Sequence, residues 1–204
     1  MVIVKDAEEV SGKFPRVVLT IGNFDGVHRG HQALMRRLIN RAGEVGGTSA
    51  VFTFDPHPLK VLAPEKCPPL INLLEEKMAL FGEVGLDLIV NHAFSKEFAL
   101  QSPRDFVELT LCRHLRPVEI YVGSDFGFGK GREGNVEYLR GLGDELGYRV
   151  IHVEAVTYKN VVVSSTLIRE LLIKGKVEEA ADLLGRPYAV SGTVVEGDAR
   201  GRKL

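Results

Sequence analysis

The stretch Arg16-Val17-Val18-Leu19-Thr20-Ile21-Gly22-Asn23-Phe24-Asp25-Gly26-Val27-His28-Arg29-Gly30-His31 decides how this chain is read. Arg16 to Thr20 is a β-branched, apolar run of the kind that forms a buried strand. Beyond His31, Ala33, Leu34, Leu38 and Ile39 recur at helical spacing, with Arg36, Arg37 and Arg41 between them. The order is strand, glycine-rich turn, helix. Glycine lets the backbone approach a ligand closely. A helix start offers unpaired N–H groups and the positive end of a dipole, which suit a phosphate. His28 and His31 stand about one helical turn apart and can point at the same anion. The turn therefore reads as a site for the phosphates of a nucleotide.

Working outward, strand and helix patterns alternate. Strands are expected at 49–54, 86–90, 118–122 and 149–153, and helices at 73–84, 103–115 and 136–146. Such alternation predicts an α/β fold, a parallel sheet covered by helices on both faces. Right-handed crossovers place ligands beyond the carboxyl ends of the strands, where the first motif lies. After Gly185 the pattern changes. Tyr188 to Gly197 alternates like an isolated half-buried strand, then glycines and charges follow to Leu204. A lone strand is not expected to fold independently.

Composition narrows the partners. In 204 residues, 26 basic and 27 acidic side chains leave a formal net charge of −1, so no general attraction to nucleic acid or an anionic membrane is expected. The hydrophobic fraction, 45 %, is enough for a real core. Cys67 and Cys112 make neither a disulfide framework nor a zinc site, and point to reduced thiols in a cytoplasmic protein. No apolar stretch is signal-like or long enough to span a bilayer. Oligomeric state is not legible.

Three further segments carry chemistry. Phe54-Asp55-Pro56-His57-Pro58 is a stiff loop at a strand end, its prolines fixing φ and removing donors. His57 has no spaced partner and reads as a solvent-facing or loop-bonded histidine. Gly123-Ser124-Asp125-Phe126-Gly127-Phe128-Gly129-Lys130-Gly131-Arg132 combines glycines, aromatics and cations, as a loop meeting an aromatic ring and a phosphate would. Lys130 reads equally as a solvated charge. Val163-Ser164-Ser165-Thr166-Leu167-Ile168-Arg169 offers a serine helix cap, hydroxyls and N–H groups to an anion, with Arg169 one turn beyond Thr166. Asp25 reads as an organiser of its own turn rather than a base. No acidic cluster has metal-ligand spacing, so Mg²⁺ is expected to arrive with the phosphates of ATP.

The His-x-Gly-His core resembles the nucleotidyltransferase superfamily. The longer string Gly-Asn-Phe-Asp-Gly-Val-His-x-Gly-His resembles bacterial FAD synthetase, usually the N-terminal module of a bifunctional riboflavin kinase/FMN adenylyltransferase. The resemblance implies a Rossmann-like sheet in residues 1–185 and adenylyl transfer from ATP to FMN. It implies that Gly22, Asn23, Phe24, Gly30, Ser164, Ser165 and Thr166 meet ATP, with His28, His31 and Arg169 acting on its phosphates. Pro56, Pro58 and Asp125 would line the flavin pocket. Phe128 is our choice for the isoalloxazine contact, which stacking would favour by about 0.5–1.5 kcal/mol. Residues 186–204 resemble the opening of the riboflavin kinase β-barrel; the chain stops where that barrel should begin, so kinase activity is not expected. Two alternatives remain at this point: transfer to another acceptor such as nicotinamide mononucleotide or phosphopantetheine, and a non-catalytic flavin- or ATP-binding module.

Overall fold

A computed structural model describes residues 1–123 and 125–195. Its frame is a six-stranded sheet built from β1 (Val2–Val4), β2 (Val17–Ile21), β3 (Thr48–Asp55), β4 (Leu88–Ala93), β5 (Pro117–Gly123) and β6 (Arg149–Val153). The order is β1-β4-β3-β2-β5-β6, with every pair parallel. The chain starts β2 in the middle, lays β3 and β4 on one side and β5 and β6 on the other. A crevice therefore opens at the carboxyl ends of β2 and β5.

Period-two alternation sorts the strand residues between two cores. Val17, Leu19 and Ile21 face one side of the sheet with Ala50 and Phe52, under Phe106, Leu111 and Leu139. Val18, Val51 and Ile89 face the other side, under Met35 and Leu38 of α1 (Arg29–Val45) and Phe81 of α3 (Leu74–Val84). Between β3 and α3 lies a short helix, α2 (Pro58–Leu62). Fully burying one such side chain is worth about 1.5–3 kcal/mol.

The helix ends follow from local chemistry. Gly46, at φ 60°, closes α1 in the left-handed region. Pro103 opens the helix on the other face. It starts as α5 (Pro103–Asp105) after the short α4 (Lys96–Ala99) and takes π-helical hydrogen bonding over Phe106–Cys112. Asn135 Oδ1 accepts from the Tyr138 N–H to cap α6 (Val136–Leu146). After β6 come a hairpin, β7 (Thr157–Tyr158) and β8 (Val161–Val162), then α7 (Ser165–Ile173) and α8 (Val177–Leu184). These last helices share a small third core, Val163, Ile168, Leu171, Ala180, Leu183 and Leu184, with Ile71.

The α/β expectation is met; two elements escape the sequence reading, and one expected strand does not form. Val2–Val4 forms an edge strand that its three residues are too short to announce. Val177–Leu184 is a helix, closed by Gly185 at φ 78°. Residues 188–195 form no strand and leave Val190 and Val194 exposed, because they pair with no neighbouring backbone; the rest of that expected strand lies outside the described residues. No described helix is long and apolar enough to cross a membrane.

Candidate active site

The first motif leaves the end of β2 as a tight turn. Phe24 (φ 51°) and Val27 (φ 38°) adopt left-handed backbone, which is strained for such side chains. Packing holds the turn in place: Phe24 and Val27 are buried against the α1–α3 core. The turn ends at His28, which caps α1. Its Nδ1 accepts from the backbone N–H of His31 at 3.3 Å. A neutral His28 must then carry its proton on Nε2, a hydrogen-bond donor.

The two imidazoles stack at 3.6 Å between centroids and 18° between planes. Burial lowers the His28 pKa to about 4 and holds His31 well below the ordinary value, with His28 adding to the effect on His31. Both rings are neutral at pH 7 and meet an anion as N–H donors, not as standing cations. His31 Nδ1 is buried without a hydrogen-bond partner. Gly22 and Gly30 are small for an internal reason. A Cβ on Gly22 would lie 3.0 Å from the Phe24 ring, and one on Gly30 would lie 3.1 Å from His28 Cε1.

Tertiary folding brings the distant Ser164–Arg169 segment onto this turn. Ser164 caps α7 by accepting from Leu167 N–H. Ser165 Oγ donates to the Asp25 carbonyl at 2.8 Å, and Val163 O lies 3.8 Å from where a Gly30 Cβ would be. The amino ends of α1 and α7 thus converge, and Thr166 is exposed at their junction. Two helix starts and neutral imidazole donors converge there, and both are chemistry that suits an anion.

Arg169 does not stand free. Its Nη2 pairs with Asp25 Oδ2 at 2.6 Å, and its Nε donates to Pro69 O at 2.9 Å. The same carboxylate accepts from the backbone N–H groups of Ile71 and Asn72. Asp25 therefore ties three segments together, an organiser on a wider scale than its own turn.

The proline loop meets the same turn from the β3 side. Asn23 Nδ2 lies 3.2 Å from His57 Nε2. His57 Nδ1 accepts from Leu59 N–H, so the residue is loop-bonded, and Pro58 opens α2. Pro56 and Pro58 are half-buried. From the end of β5, Phe126 and Phe128 stack at 5.3 Å. A run of rings through Phe106 and Phe98 links Phe128 to Phe54. Phe128, the expected flavin contact, packs into the core and is only 7 % exposed. Its half-buried stacking partner Phe126 is the ring this loop offers outward. Asp125 is exposed, and Ser124 lies outside the described residues.

Two site residues escaped the sequence reading. Arg186 donates to the carbonyls of Gly26 and Val27 and to Asn72 Oδ1, clamping the turn from beyond α8. Lys77, on α3, is buried under the turn. Lys77 sits in no motif and Arg186 only in the segment likened to a barrel's opening, so contacts alone tie them to this turn. Among the described residues, no group of three His, Cys, Asp or Glu side chains is placed to hold a metal ion.

Comparison with known proteins agrees with this geometry. Residues 11–167 match the FAD synthetase family. The chain belongs to that family. It is 39 % identical over 187 residues to a bifunctional riboflavin kinase/FMN adenylyltransferase of Escherichia coli K12, and 38 % identical over 188 residues to one of Listeria monocytogenes. Each alignment covers 92 % of this chain, but 60 % and 59 % of the respective relative, so the chain spans about three-fifths of their length. Among solved structures, a Streptococcus pneumoniae protein named as a macrolide-efflux protein superposes with a TM-score of 0.84 at 30 % identity, covering 99 % of this chain and 65 % of that one. A pantoate-beta-alanine ligase from Francisella tularensis, at 17 % identity and a TM-score of 0.50 over 91 % of this chain and 85 % of its own, shares the fold.

Proposed function

We propose that the chain is an FMN adenylyltransferase: FMN + ATP → FAD + pyrophosphate. The observation that carries the proposal is the convergence of the His28–His31 turn with the Ser164–Arg169 segment at the carboxyl end of a parallel sheet. Family membership and the names of the relatives support the choice of FMN as acceptor.

An FMN phosphate oxygen attacks the α-phosphorus of ATP. The bond from that phosphorus to the bridging oxygen breaks, and pyrophosphate leaves with the electron pair. The phosphate monoester is already ionised, so no protein nucleophile is needed. The protein's task is positioning and stabilising charge. His28 Nε2–H is a donor for the phosphate oxygens, and His31 sits stacked behind it. As negative charge builds up beside His28, it favours the protonated ring and so opposes the burial that keeps the ring neutral in the free protein.

Ser165, Thr166 and Arg169 receive the departing pyrophosphate. Arg169 has to share itself between phosphate and Asp25. Gly22, Asn23, Phe24, Gly30 and Ser164 shape the ATP side; Pro56, Pro58, Asp125 and Phe128 shape the flavin side, with Phe126 stacked on Phe128. Mg²⁺ enters as part of the ATP–Mg²⁺ substrate. We assign this chemistry to residues 1–185. The 186–204 segment we read as the start of a riboflavin kinase-like barrel, with Arg186 packed onto the first unit. The two free thiols support a reducing, cytoplasmic setting.

The test is incubation of the purified chain with FMN and ATP–Mg²⁺, followed by chromatography. FAD and pyrophosphate in equal amounts are expected. Transfer of AMP only to nicotinamide mononucleotide or phosphopantetheine would name a different acceptor, and nucleotide binding without turnover would make the chain a sensor.

A further inference from the structure

Lys77 is 9 % exposed and forms no ion pair among the described residues. Its Nζ donates to three neutral acceptors: Thr53 Oγ1 at 3.2 Å, Asn23 O at 3.4 Å and Phe54 O at 3.4 Å. Burial lowers its pKa, with Asp55 and Asp25 opposing. Burying an ammonium with only neutral partners is costly, and an apolar side chain of the same length would avoid that cost. For stability alone, Lys77 is therefore a poor choice.

Its three acceptors explain its presence. Asn23 belongs to the turn carrying the histidines. Thr53 and Phe54 end β3, immediately before the proline loop. Thr53 Oγ1 in turn donates to Asn23 O at 3.3 Å, and the Asn23 side chain meets His57 of the proline loop. The ammonium thus joins the nucleotide side of the cleft to the flavin side.

The next residue along the turn completes the connection. Phe24, in left-handed backbone, meets His31 edge to face at 5.1 Å and Phe81 at 6.1 Å. Phe81 lies four residues after Lys77, on the same face of α3. One helix face thus grips Asn23 by its carbonyl and Phe24 by its ring, and Phe24 abuts His31.

We propose that Lys77 is a positioning residue for adenylyl transfer: it holds the Asn23–Phe24 turn, and through it the His31 ring, at a set distance from the proline loop. The inference rests on the proposed activity, but one of its tests does not. In Lys77→Met the side-chain length is kept and the three hydrogen bonds are lost. A reacting group displaced by a fraction of an ångström loses roughly 10- to 100-fold in rate. The expected result is a fall in kcat of about tenfold or more, with KM for ATP changed by less than about threefold.

Because Lys77 acts through His31, the double-mutant cycle decides between positioning and a general loss of fold. In a His31→Ala background, Lys77→Met should lower kcat no further. An equal fall in both backgrounds, or wild-type kcat in the single variant, overturns the proposal. If Lys77→Met does not fold, Thr53→Val takes its place. It is nearly isosteric and removes one acceptor together with the bond to Asn23, and its smaller loss of kcat should likewise vanish without His31.

The test that needs no turnover is the imidazole NMR spectrum of the free protein. In Lys77→Met or Thr53→Val, the His31 ring resonances should move and those of His114 should not. Unmoved His31 resonances overturn the proposal. A wild-type protein that makes no FAD overturns the proposed function instead, and the NMR comparison still decides the role of Lys77.

Discussion

Lowering the pH from 7 to 5 should loosen this fold chiefly through the histidine pair. His28 is buried and neutral, with its folded pKa lowered from 6.5 to about 4 by burial. The unfolded chain takes up that proton near pH 6.5, and the folded one only near pH 4. Between those values the unfolded state binds more protons, so stability rises with pH there. The contribution is fully present above about pH 6.5 and is lost as pH falls through the window to about 4. The whole shift corresponds to about 3 kcal/mol, of which about 2 kcal/mol is gone by pH 5. His31 acts in the same direction.

The assay is urea unfolding at several pH values between 7.5 and 5, on the wild type and on His28→Asn. Asparagine keeps an N-cap acceptor for α1 while removing the titration. Carboxylates and the other histidines contribute nearly alike to both proteins, except that His28 also depresses His31, so the difference reports His28 together with its effect on that neighbour. The wild type should lose about 2 kcal/mol more than the variant on going to pH 5. Parallel curves would refute the account of a neutral, buried His28. A bound triphosphate should reverse the shift, because an anion beside the rings favours their protonated forms. ATP binding at pH 6 should therefore take up protons, visible by calorimetry in buffers of different ionisation enthalpy.

Other substitutions probe the rest of the site. Arg169→Ala should weaken ATP binding about tenfold or more and leave FMN binding largely intact, by titration with each ligand. It should also lower stability by about 3 kcal/mol, because it breaks a largely buried pair with Asp25. Asp25→Asn should keep part of the contact to Ile71 and Asn72 but weaken the hold on Arg169, and show in melting temperature before it shows in ATP affinity. Gly30→Ala should separate stability from rate. Alanine favours the first turn of α1 by up to about 1 kcal/mol, yet its Cβ presses on the His28 ring, so the melting temperature should hold while kcat falls.

Local patterns were legible where one segment carries its own instruction. The β-branched apolar runs at Arg16–Thr20 and 49–54, helical spacing after His31, and a serine before a helical run each specify structure over a few residues, and each recurs in the fold. The His28–His31 spacing likewise brings the two rings together, because His28 caps α1 and His31 stands in its first turn. The segments that failed are those whose structure depends on partners. Val2–Val4 becomes a strand only because β4 offers an edge. Residues 188–195 alternate but find no edge, and remain irregular.

The sequence by itself determined the fold class, the strand–turn–helix order of the first motif and the serine-capped helix of the second, since these rest on short-range periodicity and helix-end chemistry. Only the tertiary structure decided how those residues stand. It closed Arg169 onto Asp25, 144 positions away. It buried the histidines deeply enough to keep them neutral. It packed Phe128 into the core and left its stacking partner Phe126 half-buried. It placed Lys77 under the histidine-bearing turn. Burial, protonation state and long-range hydrogen bonding depend on what the rest of the chain packs around a residue, and no local pattern encodes that surrounding.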